Sequence, residues 1–522
     1  MNTGPMPCTE ASVRSRKQSI EDLSHDRWVL VATVLGSSME FIDGTVVNVA
    51  LPSLQAGFHA TGSQVQWVVE AYALFIASLI LVGGSLGDRF GLRRSFLAGV
   101  VIFSAASVWC GVAPSITQLL IARCLQGVGG ALLVPNSLAL LSVNFSEARR
   151  GRAIGTWSGF ASMMTALGPI VGGWVVQHGS WRYVFFLNVP IAVATIWITL
   201  SKTPAVPMEF DKRKIDWAGA LLGTCGLAGV TFSLMEWSTG GIGARIAGVV
   251  GIILLSMFVF VEKHAVAPTM PLDLFRNRSF AGANLLTFFL YGALSSALFY
   301  MPLNLIQVQG YSPTAAGAAM LPLVIVMFLL ARWGGSLIER TGPRVPLVVG
   351  PLVASLGYAL LGKTGLVGSY WTACFPAMAV LGLGMTISVA PLTTVVMSSV
   401  DQKRTGAASG VNNAVSQTAG LLALAITAPL FFHTFSISLN RDLVRDSVSS
   451  ETIREVWPQR SRLAAIQTED SRARTAIDDA FVSGFRLIAF IASASAIAAA
   501  ASAAATIGKS KPKTGAPIPR QT

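Results

Sequence analysis

Gly84-Ser85-Leu86-Gly87-Asp88-Arg89-Phe90-Gly91-Leu92-Arg93-Arg94 decides how the rest of this chain is read. On both sides lie apolar runs of roughly 20 residues, long enough to cross a bilayer. Between them stand two glycines that permit a tight turn, one carboxylate and three arginines. Such a basic turn stays on the cytoplasmic face, because Lys and Arg resist translocation. A plain topogenic anchor would carry the same charges. The order Gly-x-x-x-Asp-Arg-x-Gly-x-Arg-Arg is more specific than that.

Composition agrees with a membrane setting. Hydrophobic residues make up 52% of the 522 and charged residues only 12%, about half the share in soluble domains, and the mean hydropathy is +0.61. The formal charge of +13 would suggest nucleic acid in a soluble protein. Here the basic residues fall in short loops, where topology and the anionic inner leaflet explain them, so no nucleic-acid partner is expected. Cys110, Cys124, Cys225 and Cys374 lie in apolar runs and Cys8 in the N-terminal tail, with neither a disulfide framework nor metal-ligand spacing. Residues 1–27 lack a short apolar core, so the first span is expected to act as an uncleaved signal-anchor.

Apolar runs near 28–50, 63–86, 95–113, 117–141, 153–177, 183–201, 215–236, 243–262, 279–301, 313–333, 344–363, 369–394, 406–431 and 482–507 predict fourteen transmembrane helices, an all-α polytopic membrane protein. Loops on one side carry Arg89, Arg93, Arg94, Arg149, Arg150, Arg152, Lys202, Lys212, Arg213, Lys214, Lys263, Arg276, Arg278, Arg340, Arg344, Lys403 and Arg404. The other side offers little beyond Arg182, Arg245 and Lys363. Both termini, including Lys509, Lys511 and Lys513, are therefore expected in the cytoplasm. Residues 436–480, with seven arginines and eight acidic residues, read as a long extracytoplasmic loop. It is either a disordered spacer or an amphipathic hairpin capping the outer mouth.

The opening stretch recurs. Gly335, Glu339, Arg340, Gly342 and Arg344 stand 251 residues after Gly84, Asp88, Arg89, Gly91 and Arg93. The division that follows is a tail over 1–27, a six-helix half over 28–201, two inserted helices with linkers over 202–278, a second six-helix half over 279–507, and a tail over 508–522. Parallel repeats around a midplane cavity are a transporter architecture.

Carboxylates inside membrane helices are costly and normally face a cavity or a partner. Glu40 and Asp43 are three apart, on roughly one helix face. At about 1.5 Å per residue, Asp43, Glu70 and Arg123 lie roughly 9–12 Å below the outer ends of their helices. A static ion pair that fixes packing would explain them. A proton-titrating cluster of Asp43, Arg123, Glu40 and Glu70 is the reading preferred here, because a desolvated carboxylate beside Arg changes its proton affinity as water enters or leaves.

Three stretches carry a resemblance. The loop Gly84, Asp88, Arg89, Gly91, Arg93, Arg94 resembles the signature between the second and third helices of the major facilitator superfamily, which implies a gating role. Leu120-Ile121-Ala122-Arg123-Cys124-Leu125-Gln126-Gly127-Val128-Gly129-Gly130-Ala131 resembles a second signature, whose arginine is implicated in proton transfer. Gly168-Pro169-Ile170-Val171-Gly172-Gly173 resembles the one linked to antiporters, a bendable glycine-rich seal. Together with fourteen spans and Asp43, Asn48 and Pro52 in the first, the chain is similar to the fourteen-span drug:proton antiporters. Glu339 where the first copy has Asp88, and the thinner basic cluster of the second copy, place the stronger gate at the first.

The second half differs in kind. Between 279 and 431 no span core holds an acidic residue, and Asn284, Phe288, Tyr291, Asn412 and Gln417 suit a permissive pocket for bulky, partly apolar molecules. No nucleotide-binding loop occurs, and the five histidines form no ligand spacing. No enzyme activity, cofactor or metal is expected. The reading is an inner-membrane exporter of hydrophobic or cationic compounds against protons. It is expected to be a monomer in the bilayer, with or without a periplasmic adaptor. A dedicated exporter of one self-made metabolite and a non-transporting sensor or scaffold are its rivals.

Overall fold

Hydrocarbon supplies no hydrogen-bond partners, so a spanning chain must satisfy its backbone within itself, and helices do so. The computed structural model describes residues 10–145, 147–203, 216–237, 240–265, 270–400 and 404–508. Cys8, Lys212, Arg213, Lys214, Lys403, Lys509, Lys511 and Lys513 lie outside the described residues. Among the described residues, fourteen helices long and apolar enough to cross a membrane follow one another. They are α1 Asp26–Phe58, α2 Gly62–Phe90, α3 Leu92–Val112, α4 Ile116–Asn144, α5 Ala153–His178, α6 Tyr183–Lys202 and α7 Trp217–Met235. The rest are α8 Gly241–His264, α9 Arg278–Val308, α10 Pro313–Thr341, α11 Arg344–Thr364, α12 Tyr370–Ser398, α13 Ala407–Arg445 and α14 Ser471–Thr506. Every apolar run read from the sequence is one of them.

Local chemistry sets the ends. Thr61 and Gln64 form a reciprocal capping box at the start of α2. Ser115 caps α4, Asn277 caps α9, and Ser312 caps α10 with Pro313 in its first turn. The tight turns α2–α3 and α10–α11 place Gly91 at φ 95° and Gly342 at φ 76°, a region that favours glycine.

Packing repeats itself. The pairs α1–α5, α1–α6, α2–α4, α3–α4 and α3–α6 are in contact, and so are α9–α13, α9–α14, α10–α12, α11–α12 and α11–α14. Glycines let these helices approach. A Cβ on Gly83 would lie 2.0 Å from the Ala131 carbonyl oxygen, and one on Gly334 2.6 Å from that of Thr386. The sets α1–α6 and α9–α14 meet along two seams, α2 with α13 and α5 with α10. The helix α7 lies against α2 and α13, covering the first seam, while α8 packs chiefly on α7. Ile242, Ile246, Val249, Ile253 and Phe260 of α8 face outward, as lipid-facing side chains do.

One expectation needs redrawing. The segment 436–480 is neither a spacer nor wholly a loop. Helix α13 runs on to Arg445 and α14 begins at Ser471, so the connection shrinks to 446–470 and includes the short helix Ser450–Val456 and the 3-10 turn Trp457–Ala465. The polar residues prolong helices because their charges pair. Asp442 receives Arg441 at 2.9 Å and Arg445 at 3.2 Å, and Arg474 reaches Asp478 at 2.8 Å. The turn lies across the seam. Gln55 of α1 donates to the Arg462 carbonyl at 3.0 Å, while Arg474 of α14 donates to the carbonyls of Ala464 (2.9 Å) and Gln307 (2.6 Å).

Candidate functional site

Helix α1 carries Asp43 into the interior of the first set, where its side chain is fully buried. Arg123 of α4, 1% exposed, donates from Nη1 to Asp43 Oδ2 at 2.5 Å. The same nitrogen donates to Gln126 Oε1 at 2.7 Å, and Nε donates to the Val68 carbonyl of α2 at 2.9 Å. The guanidinium lies 4.1 Å from the centre of the Tyr72 ring. On the other carboxylate oxygen, Gln126 Nε2 donates at 2.8 Å and Asn188 Nδ2 of α6 at 3.3 Å. Asn188 also donates to Ser107 of α3, which donates in turn to the Phe185 carbonyl. Asp43 therefore accepts from three side chains, an arrangement suited to the ionised form. The three donors come from α4 and α6, so the carboxylate ties α1 to both helices.

Glu40, one turn from Asp43, is buried, and its Oε2 has no hydrogen-bond partner. It lies close enough to Asp43 for the two carboxyl groups to interact. Beside Asp43, Gly44 faces open space, as do Gly155 and Gly159 of α5. Glu70 is not brought to this cluster. Its helix offers Arg123 the carbonyl of Val68, and two residues further on the side chain points away, within electrostatic reach of Tyr300 on α9. Neither of its oxygens has a hydrogen-bond partner.

In the turn between α2 and α3, Gly87 leaves room for Asn136, whose Oδ1 would be 1.7 Å from a Cβ there; Gly84 sits beside Pro135. Asp88, Arg89 and Arg94 are exposed at the helix end. Arg93 is engaged differently. It donates to the carbonyls of Thr199 (3.1 Å) and Leu200 (2.8 Å), the last turn of α6. Its repeat partner Arg344 donates to the Ala504 carbonyl, the last turn of α14.

The glycines of α5 act as contact points. A Cβ on Gly168 would meet Thr45 Oγ1 at 2.1 Å and one on Gly172 would meet Val46 at 2.3 Å, so α5 lies directly on α1. Gly173 and Pro169 instead meet α10, where Gly317 would place a Cβ 2.0 Å from the Pro169 carbonyl oxygen. In the second set, Asn412 of α13 donates to Asn284 Oδ1 at 3.1 Å and to Thr287 Oγ1 at 2.8 Å. Phe288 and Tyr291 follow Asn284 on one face of α9, and Gln417 lies further along α13; all three are half-buried.

Sequence reasoning passed over Gln126, Asn188, Ser107 and Tyr72. Gln126 stands three residues after Arg123, the spacing that puts both on one face. For Asn188 and Ser107 the signal was only a polar residue in an apolar run.

Comparison with known proteins places this geometry. The multidrug resistance protein Stp of Mycobacterium tuberculosis is 32% identical over 487 residues, covering 89% of this chain and 89% of that protein. The tetracenomycin C resistance and export protein of Streptomyces glaucescens is 34% identical, covering 77% of this chain and 75% of its own. A bacterial homologue of the human lysosomal transporter Spinster, solved in an inward-facing, unoccupied conformation, superposes with a TM-score of 0.65 at 18% identity, over 93% of this chain and 98% of that one. That likeness shows a shared fold. The profile of the Major Facilitator Superfamily matches residues 33–424. With that match over most of its length, the chain belongs to the Major Facilitator Superfamily.

Proposed function

We propose that this protein is a proton-driven antiporter that exports small hydrophobic or cationic compounds by alternating access. The observation that carries the reading is the buried Asp43–Arg123 pair beside the open face at Gly44. Two six-helix halves, 28–201 and 279–507, rock about the seams α2–α13 and α5–α10, with the pair 202–278 inserted between them. When the cleft opens outward, water and protons reach Asp43, and protonation loosens its bonds to Arg123, Gln126 and Asn188. When the cleft opens to the cytoplasm, the proton leaves and the restored charge attracts the next substrate. Glu40, one turn away, relays or shares that proton. Asn284, Phe288, Tyr291, Asn412 and Gln417 line the substrate side of the cleft, and the turn around Asp88 and Arg89 gates it.

Basic residues at the ends of α2, α5, α6, α9 and α10 support a cytoplasmic location for that end, and hence for both termini, in the plasma membrane. The Stp relative supports a broad substrate range. The tetracenomycin C relative supports the second reading, a dedicated exporter of one self-made metabolite. Efflux from inverted vesicles tests the main reading. Accumulation of a fluorescent lipophilic cation must depend on the proton gradient, collapse with a protonophore, and vanish in Asp43→Asn. Gradient-independent accumulation in the wild type would refute proton coupling.

A further inference from the structure

A cavity of about 320 Å³ lies at the end of the bundle away from the basic turns, where α1, α9 and α14 meet beneath the connecting turn Trp457–Ala465. That volume is at the small end of ligand sites, roughly 300–1,000 Å³. Its frame is fixed by hydrogen bonds. Gln55 of α1 donates to the Arg462 carbonyl at 3.0 Å, and Gln307 of α9 donates to Gln55 Oε1 at 2.9 Å. Two non-glycine residues hold left-handed backbone there, His59 at φ 50° and Leu463 at φ 57°. Such backbone is costly for a residue with a Cβ, and it clusters at ligand sites.

The polar groups on the wall divide by what they already bond. The carbonyls of Gln55 and Ala56, at the end of α1, accept from the Ala60 and His59 amides. Arg474 is engaged: it donates to the Ala464 and Gln307 carbonyls and pairs with Asp478 at 2.8 Å. Ser53, His59, Arg462 and Gln467 are different. They line the cavity, and their side chains bond no group among the described residues. Each of the four can donate. No acidic residue is among the described lining residues, so the half-buried Arg462 brings a positive charge with no carboxylate beside it. The rest of the wall is small and apolar, with Pro52, Ala60, Ile306 and Ala464. A planar fork of donors beside a short apolar wall is the chemistry that recognises a carboxylate on a compact apolar body.

We propose that this cavity is a binding site for small organic carboxylates, with Arg462 as the group that grips the carboxylate. It is separate from the Asp43–Arg123 pair. Binding there requires no proton gradient, so failure of gradient-driven efflux leaves it standing. Its walls come from α1 of one set and from α9 and α14 of the other. An occupant therefore joins the two sets at this end of the bundle and holds them together.

Fluorine NMR titration of 4-fluorobenzoate into the purified full-length protein, in nanodiscs of phosphatidylcholine, tests it. Arg462→Gln should raise the Kd about tenfold, through the loss of a charge-assisted contact. Arg462→Lys should raise it about threefold, since the charge stays and the fork goes. Ala56→Phe, which sets a ring in the exposed mouth of the cavity, should raise it about tenfold as well. Neutral 4-fluorobenzamide should bind the wild type about tenfold more weakly than the acid, and change less than about twofold in Arg462→Gln. Should Arg462→Gln fail to fold, as read by its size-exclusion profile, Arg462→Lys and Ala56→Phe decide. An unchanged Kd in the folded variants, equal affinities for acid and amide, or no binding by the wild type overturns the proposal. So does a Kd that rises with added phosphatidylglycerol in the wild type but not in Arg462→Gln, which would assign the arginine to lipid phosphate.

Discussion

Asp43 holds three donors at once, and the arrangement depends on shape as much as on charge. Arg123 uses Nη1 for Asp43 and Gln126 and Nε for the Val68 carbonyl, so its fork spans two helices. Lysine has one point of charge and cannot fill both directions. Arg123→Lys should therefore lower transport at least about tenfold while the protein is still inserted, because an uncompensated hydrogen bond to a buried charge costs about 1.5–3 kcal/mol. Gradient-driven efflux in vesicles matched for protein abundance checks this, and wild-type rates would remove Arg123 from coupling. Asp43 and Arg123 were legible in the sequence because a charge in an apolar run needs a reason. Glu70 was grouped with them on depth alone. Depth ignores azimuth, and residues 68 and 70 are about 200° apart around a helix, so the carbonyl of one faces Arg123 while the side chain of the other faces α9. Asn188 and Ser107 left no comparable mark, since single amides and hydroxyls in membrane helices are usually satisfied by the preceding turn.

At the scale of the element, α5 is governed by absence of side chains. Gly168 and Gly172 bring it onto α1, and Gly173 onto the start of α10, so one helix touches both sets. Gly172→Leu should force α1 and α5 apart, since the added atoms begin 2.3 Å from Val46. Overpacking of this kind costs roughly 1–3 kcal/mol, so the variant should melt several degrees lower and lose efflux. Thermal unfolding followed by a fluorescent probe checks it. The turns after α2 and α10 carry the other element-scale expectation. Removing Arg93 leaves the carbonyls of Thr199 and Leu200 without that donor, and removing Arg344 does so for Ala504. Arg93→Ala and Arg344→Ala should each destabilise by about 1–2 kcal/mol, by similar amounts. A cost confined to one of them would separate the two copies in function. Those turns were readable because glycine and arginine spacing survives as a pattern. The partner carbonyls were not, because a backbone acceptor has no sequence signature.

For the whole molecule, fourteen apolar helices and a basic bias set an orientation that fusions can test. Reporters placed after Lys202, Arg278 and Lys513 should register cytoplasm, and one near Ser450 the outside; a cytoplasmic signal at Ser450 would refute the orientation. The helix count was legible because hydrocarbon demands long apolar runs, whereas the helical prolongation of α13 and α14 was hidden by polar composition that lipid-based reading assigns to loops. The arginine caps have a consequence for descent. Each arginine grips main-chain oxygens, so the residues at 199, 200 and 504 can change without loosening it, provided the helix end remains. If the two sets arose by duplication of an ancestral gene, the buried faces would have been free to drift apart in sequence while the cap stayed in place. The place to look for common ancestry is then the short turn and what it holds, and a search of the helices themselves would miss it.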